Sequence, residues 1–139
     1  MVRIFVRCAL LALSACSTQE SPKLEAFADA FSEANQATGV EAMLAIYALE
    51  GTTENTKSLL KNALLYELGL PIQSISFEPL TGLPEESIEY AHQGVDYVAT
   101  LEPSLRMRVR YATEDRFESL YSIAQNGAGE WRIVSSRPR

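Results

Sequence analysis

Arg106, Arg108 and Arg110 alternate with Met107 and Val109, the two-residue period that puts all three guanidinium groups on one face of a strand. Arginine keeps its charge at any physiological pH and offers a planar fork matched to carboxylate or phosphate. Two readings follow. The stripe binds an anionic ligand or partner, or it is a solvated face balanced by neighbours, with Arg110 opposite Glu118 and with Val98 and Thr100 on the other side. Tyr90, Tyr97, Tyr111 and Tyr121 share this half of the chain. Polar-tipped aromatics suit the wall of a small-molecule pocket, which makes Tyr97 a ligand-binding candidate beside the arginines; they suit a core equally well when each hydroxyl finds a partner.

His92 is the single histidine. Glu89 stands three residues before it, the spacing of a helical metal pair that further glutamates complete in di-iron bundles. One copy falls short of the three protein ligands a catalytic zinc uses, so neither a metal nor a cofactor is expected. His92 keeps the chemistry of a general base, yet no serine sits in a G-x-S-x-G elbow, and the P-loop, G-x-G-x-x-G and HExxH patterns are missing. No catalytic residue is assigned.

The strongest chemical signal lies near the N-terminus. Arg3 and Arg7 flank the start of a short apolar run that ends in Leu13-Ser14-Ala15-Cys16. The run is too short and too interrupted to span a bilayer permanently and reads as an export signal. Leu, two small residues and Cys resemble the lipobox of bacterial lipoproteins. That resemblance implies lipidation of the Cys16 sulfur, cleavage before Cys16, and further acylation with palmitate-like chains; two or more such chains anchor a protein stably. Ser17, where the family uses Asp for inner-membrane retention, implies the outer membrane, with the domain facing the periplasm. The expected organisation is a signal peptide at 1–15, a lipid-anchored tether at 16–21, and one domain at 22–139. Once Cys8 leaves with the signal and Cys16 carries lipid, no thiol remains for a disulfide, so the exported domain rests on its core alone.

Loss of Arg3 and Arg7 takes the formal charge from −6 to −8 and leaves 124 residues, enough for one real core. The charge is divided: residues 17–102 hold 3 Lys against 14 acids, whereas residues 103–139 hold 7 Arg against 4. The two halves complement each other within one fold or face different partners. An exported acidic chain points away from nucleic acid and toward the membrane, through its lipid, and an envelope protein partner. The oligomeric state is not legible.

Three amphipathic helices come first. Ser21-Pro22 reads as a cap and N1 proline, followed by Leu24, Phe27, Phe31 and Ala34 at helical spacing. Thr38 and Glu41 make a capping box before Val40, Met43, Leu44 and Tyr47. Thr53 caps a third helix bearing Leu60, Ala63, Leu64 and Leu68, closed by Gly69, by a Leu65–Leu70 contact and by Pro71. The period then changes to two. Ile72, Ile75 and Phe77 mark a strand, Pro84 to His92 a short helix, and Tyr97, Ala99 and Leu101 a strand answered by Leu105, Met107, Val109 and Tyr111. Phe117 to Ala124 follows, and a glycine-rich loop at 125–129 sets Ile123 against Trp131 and Tyr121 against Ile133. Helices first and an antiparallel sheet after them define an α+β fold, with the helices on one sheet face. The closing strand Gly129-Glu130-Trp131-Arg132-Ile133-Val134, with this order of elements, is similar to the ketosteroid-isomerase-like cone-fold superfamily. That resemblance implies a curved sheet and either an enzyme or a small-ligand binder with a pocket between sheet and helices. The residues themselves favour a non-catalytic binding or envelope-assembly module.

Overall fold

The computed structural model describes residues 20–139; the export signal, Cys16 and most of the tether lie outside them. Helix α1 (Glu20–Gln36) begins one residue before Ser21, which sits inside the first turn and not at the cap. Phe27, Phe31 and Ala34 recur at i, i+4 and i+7 and are buried together, as an amphipathic stripe requires.

The second helix is shorter than its stripe suggests. α2 (Glu41–Leu44) is one turn, and Val40 stands at its cap with no side-chain bond, so the Thr38–Glu41 box does not form. The chain turns extended because Ile46 gives its carbonyl to the Ile133 amide at 2.9 Å. β1 (Tyr47–Ala48) then lies parallel to the last long strand. Tyr47 therefore belongs to a sheet edge rather than a helical stripe.

α3 (Glu54–Leu64) starts as the sequence indicates, with Thr53 Oγ1 accepting from the Thr56 amide at 3.1 Å. Leu64 is buried, Leu60 and Leu68 pack against the core, and Ala63 stays exposed. Its exit differs from a closure within the helix. Gly69, at φ +83°, donates to the Asn35 carbonyl of α1 at 2.9 Å, and Asn35 Nδ2 donates to the Leu70 carbonyl at 2.8 Å. Leu65 is left in solvent.

β2 (Ile72–Glu78) follows as read. The helix expected to reach His92 stops after α4 (Pro84–Ser87), where Ile88 turns left-handed at φ 55°. Tyr90 to His92 instead form β3 (Tyr90–His92), hairpinned to β4 (Val95–Ala99) through Gln93 and Gly94, both at positive φ. Two left-handed residues in a two-residue loop make the turn that matches strand twist.

β5 (Leu105–Tyr111), β6 (Glu118–Gln125), β7 (Trp131–Val134) and β8 (Ser136–Pro138) complete the chain. The main sheet is mixed, ordered β1-β7-β6-β5-β2, and a second sheet is ordered β3-β4-β8. The neighbour of β5 is thus β2, not β4. β2 suits both faces of β5: Ile75 and Phe77 lie opposite Val109 and Met107, while Glu78 lies opposite Arg106. β4 pairs with β8, and the Thr100 amide donates to the Ser135 carbonyl at 2.8 Å where the chain passes between sheets.

The last hairpin is offset from its expected pairing by two residues, with Ile123 opposite Ile133 and Gln125 opposite Trp131. Asn126 is the cause. Its side-chain oxygen accepts from the Ala128 and Glu130 amides, both at 3.0 Å, and its own amide donates to the Glu130 carbonyl. An offset of two keeps every side chain on its face, so Ile123, Trp131 and Ile133 are buried all the same. The core fills the space between the helices and one sheet face, joining Phe27, Phe31, Met43 and Leu64 to Met107, Val109, Tyr111 and Ile123.

Candidate functional site

The outer face of β5 brings the three arginines together as the alternation required. Each meets carboxylates of its own chain. Arg106 bonds Glu78 and reaches Glu86 at 3.2 Å. Arg108 bonds Glu78 at 2.9 Å and also pairs with Glu118, and Arg110 lies 3.5 Å from the other Glu118 oxygen. The order Glu86–Arg106–Glu78–Arg108–Glu118–Arg110 is an alternating ladder of three cations and three anions. Exposure of the arginines rises along it, from 13 % for the Arg106 side chain to 48 % for Arg110.

Glu86 anchors one end of the ladder. It occupies the first turn of α4, and its carboxylate accepts from the Thr81, Gly82 and Leu83 amides and from the Thr81 hydroxyl. The Thr81 amide above all, then its hydroxyl, the Gly82 amide and Arg106, hold the Glu86 carboxyl below the usual carboxylate range, against the opposing pull of burial. Glu78 is likewise lowered, chiefly by its hydrogen bond from Arg108, and Arg108 is raised in return. Ser122 Oγ donates to the Glu86 carbonyl at 3.1 Å, so α4 rests on the outer sheet face. Between them runs an open groove of about 280 Å³ lined by Leu83, Arg106, Leu120 and Ser122.

Tyr97 does not join the arginines. It lies in the second sheet, stacked on Tyr90 with ring centroids 4.9 Å apart, and Tyr90 shares a hydrogen bond with Ser136 Oγ at 2.8 Å. Tyr111 and Tyr121 are instead on the core side. The four tyrosines are split between the two sheets and make no single pocket wall. His92 is exposed on β3, paired with Val95, so the helical Glu89–His92 metal pair does not exist. Among the described residues no three histidine, cysteine or acidic side chains cluster as a metal site.

One polar cluster escaped the sequence reading. Glu67, just past α3, accepts from Tyr121 OH and from Ser119 Oγ, the latter at 2.9 Å. Burial, then Glu67, pushes Tyr47 well above the usual phenol range and Tyr111 up to about 12. Burial followed by Tyr47 and Glu67 raises Tyr121 further still. All three phenols stay neutral, and Tyr121 is committed as a donor. A signal was present: Leu60, Leu64, Glu67 and Leu68 share one helical face, which sets an acid among core positions.

The helix layer also carries an apolar surface. Leu59, Leu65 and Tyr66 lie on the outer side of α3 and its exit, with Tyr66 84 % exposed. No described helix is long and apolar enough to cross a membrane. Set against known proteins, the chain matches no family model, no curated protein and no solved structure.

Proposed function

We propose that this chain is a bacterial lipoprotein, acylated at Cys16 and held at the periplasmic side of the outer membrane, whose α+β domain is a non-catalytic binding or assembly module for an envelope protein. The lipobox-like run supports the anchor. One structural observation carries the binding half: the centre of the interface between helices and sheet is filled, with Phe31 tilted against Tyr121 at 5.6 Å, while Leu59, Leu65 and Tyr66 stand in solvent. A closed core argues against a ligand pocket there, and an apolar patch is the usual mark of a protein contact. It faces outward from the helix layer, away from the self-paired arginines.

The second reading, a cone-fold ligand binder or enzyme, draws on helices laid over one sheet face and on Glu67 set among three phenols. Tyr121 and Ser119 of β6 both donate to Glu67, so the cluster works as a clamp between the α3 exit and β6. Growth with labelled palmitate tests the anchor. Wild type takes up label and is cut to a chain beginning at Cys16; Cys16→Ser takes up none and stays uncut or soluble. Label retained by Cys16→Ser overturns the lipoprotein reading.

A further inference from the structure

A second cleft lies at the opposite end of α1 from the Asn35–Leu70 tie. Lys23, Phe27 and Ala30 on α1 face Gly129, Trp131 and Arg132 across a space of about 360 Å³. Lys23 Nζ reaches over the hairpin loop, 3.7 Å from the point a Cβ on Gly129 would occupy. Arg132 is neutralised by Glu130 at 2.8 Å, which leaves Lys23 as the excess charge at the rim. Phe27, Ala30, Ile46 and Trp131 give it apolar walls, and Lys23, Glu130 and Arg132 complete the lining. Trp131, one of those walls, is 5 % exposed, and its indole N–H is buried with no hydrogen-bond partner among the described residues. Such a donor costs about 1–3 kcal/mol when left unmade, and an acceptor that completes it stabilises the fold.

Position says what completes it. Four residue steps separate Cys16 from Glu20, at most about 14 Å of extended chain, and Lys23 lies within the next helical turn. The far end of α1 is about 24 Å away along the axis. If Cys16 is acylated, as proposed above and as this inference requires, the cleft opens at the bilayer surface while Leu65 and Tyr66 are held off it. We propose that the cleft takes a phospholipid of that bilayer. An acyl segment lies along Phe27 and Ala30, an ester carbonyl accepts from the Trp131 indole, and the phosphate meets Lys23. Aromatic N–H groups and lysines at headgroup depth serve this purpose in membrane proteins generally.

The chain has one tryptophan, which makes the cleft its own reporter. The full acylated protein is reconstituted in vesicles of phosphatidylethanolamine and phosphatidylglycerol, with and without brominated acyl chains. Mass spectrometry first establishes the acyl groups on Cys16; their absence ends the anchor reading on which this rests. With acylation in place, brominated lipid should remove most of the Trp131 emission. Lys23→Glu and Ala30→Leu, each checked for native circular dichroism, should restore it. Lys23→Glu is a surface change and keeps the test valid if Ala30→Leu fails to fold. Unquenched emission from acylated wild type overturns the lipid cleft alone, and quenching that persists in folded Lys23→Glu overturns it as well.

Discussion

Strand β5 carries two chemistries on one backbone. Its inner face is Met107, Val109 and Tyr111, closed to solvent by the helices; its outer face is Arg106, Arg108 and Arg110, closed by the chain's own carboxylates. The inner face gains stability from area removed from water, the dominant favourable contribution to folding. The outer face trades hydration for charge pairs of modest net value, the more so toward the exposed Arg110 end. A stripe of arginines on an alternating strand therefore does not by itself mark a binding site. What decides is whether the neighbouring strands bring counter-ions, and here β2, β6 and α4 each bring one.

The inner face should be the costlier to disturb. Trp131→Ala is expected to lower unfolding free energy by about 3–5 kcal/mol, the range for deletion of a buried tryptophan; urea denaturation reads it. A loss under about 1 kcal/mol, the scale of surface changes, would contradict the buried face. Glu67→Leu should also destabilise, by less, because it leaves the Ser119 and Tyr121 hydroxyls unpaired in the core. Glu67→Gln should recover part of that loss.

The outer face should show itself through pH. Glu78 and Glu86 have folded-state pKa values below 4.5, so their contribution is fully present above about 4.5. It is lost as pH falls through the lowered values. Melting temperature should thus drop in acid, and the double variant Glu78→Gln, Glu86→Gln should flatten that drop while melting lower at neutral pH. Equal acid sensitivity in the double variant would show that the ladder is not the source. Replacing all three arginines by glutamine should lower the melting temperature at neutral pH, since three carboxylates are left facing one another. Arg110→Gln alone should change stability by about 1 kcal/mol or less, as an exposed pair does.

These faces also show what was legible in the chain. Alternation over residues 105–111 and the 118–125 strand set both faces correctly, and the Arg110–Glu118 pairing holds. Thr53 and the apolar stripes of α1 and α3 were readable because a cap and a helical period are local properties. Pairing across the chain was not. Glu78 became the central counter-ion only because β2 displaced β4 beside β5, and a strand's partner depends on which neighbour complements both its faces. Tyr47 moved from a helix to a sheet edge for the same reason. Around His92 the decisive signal is local but subtle: Gln93-Gly94 makes a two-residue turn, which joins two strands and does not follow a helix. The second sheet, built by β7 continuing into β8, leaves no mark in periodicity at all.

The contrast between the self-paired stripe and the bare apolar surface on α3 yields the most direct test of the proposed role. A photo-crosslinking phenylalanine analogue is placed at position 66 and, separately, at position 110 in the acylated full chain, and cells are irradiated before membranes are collected. Position 66 should give a discrete adduct to one envelope protein, lost when Leu59 and Leu65 are both changed to Glu, and position 110 should give none. An adduct from position 110 with none from position 66 would contradict the proposed role and return the arginines to the centre of the function.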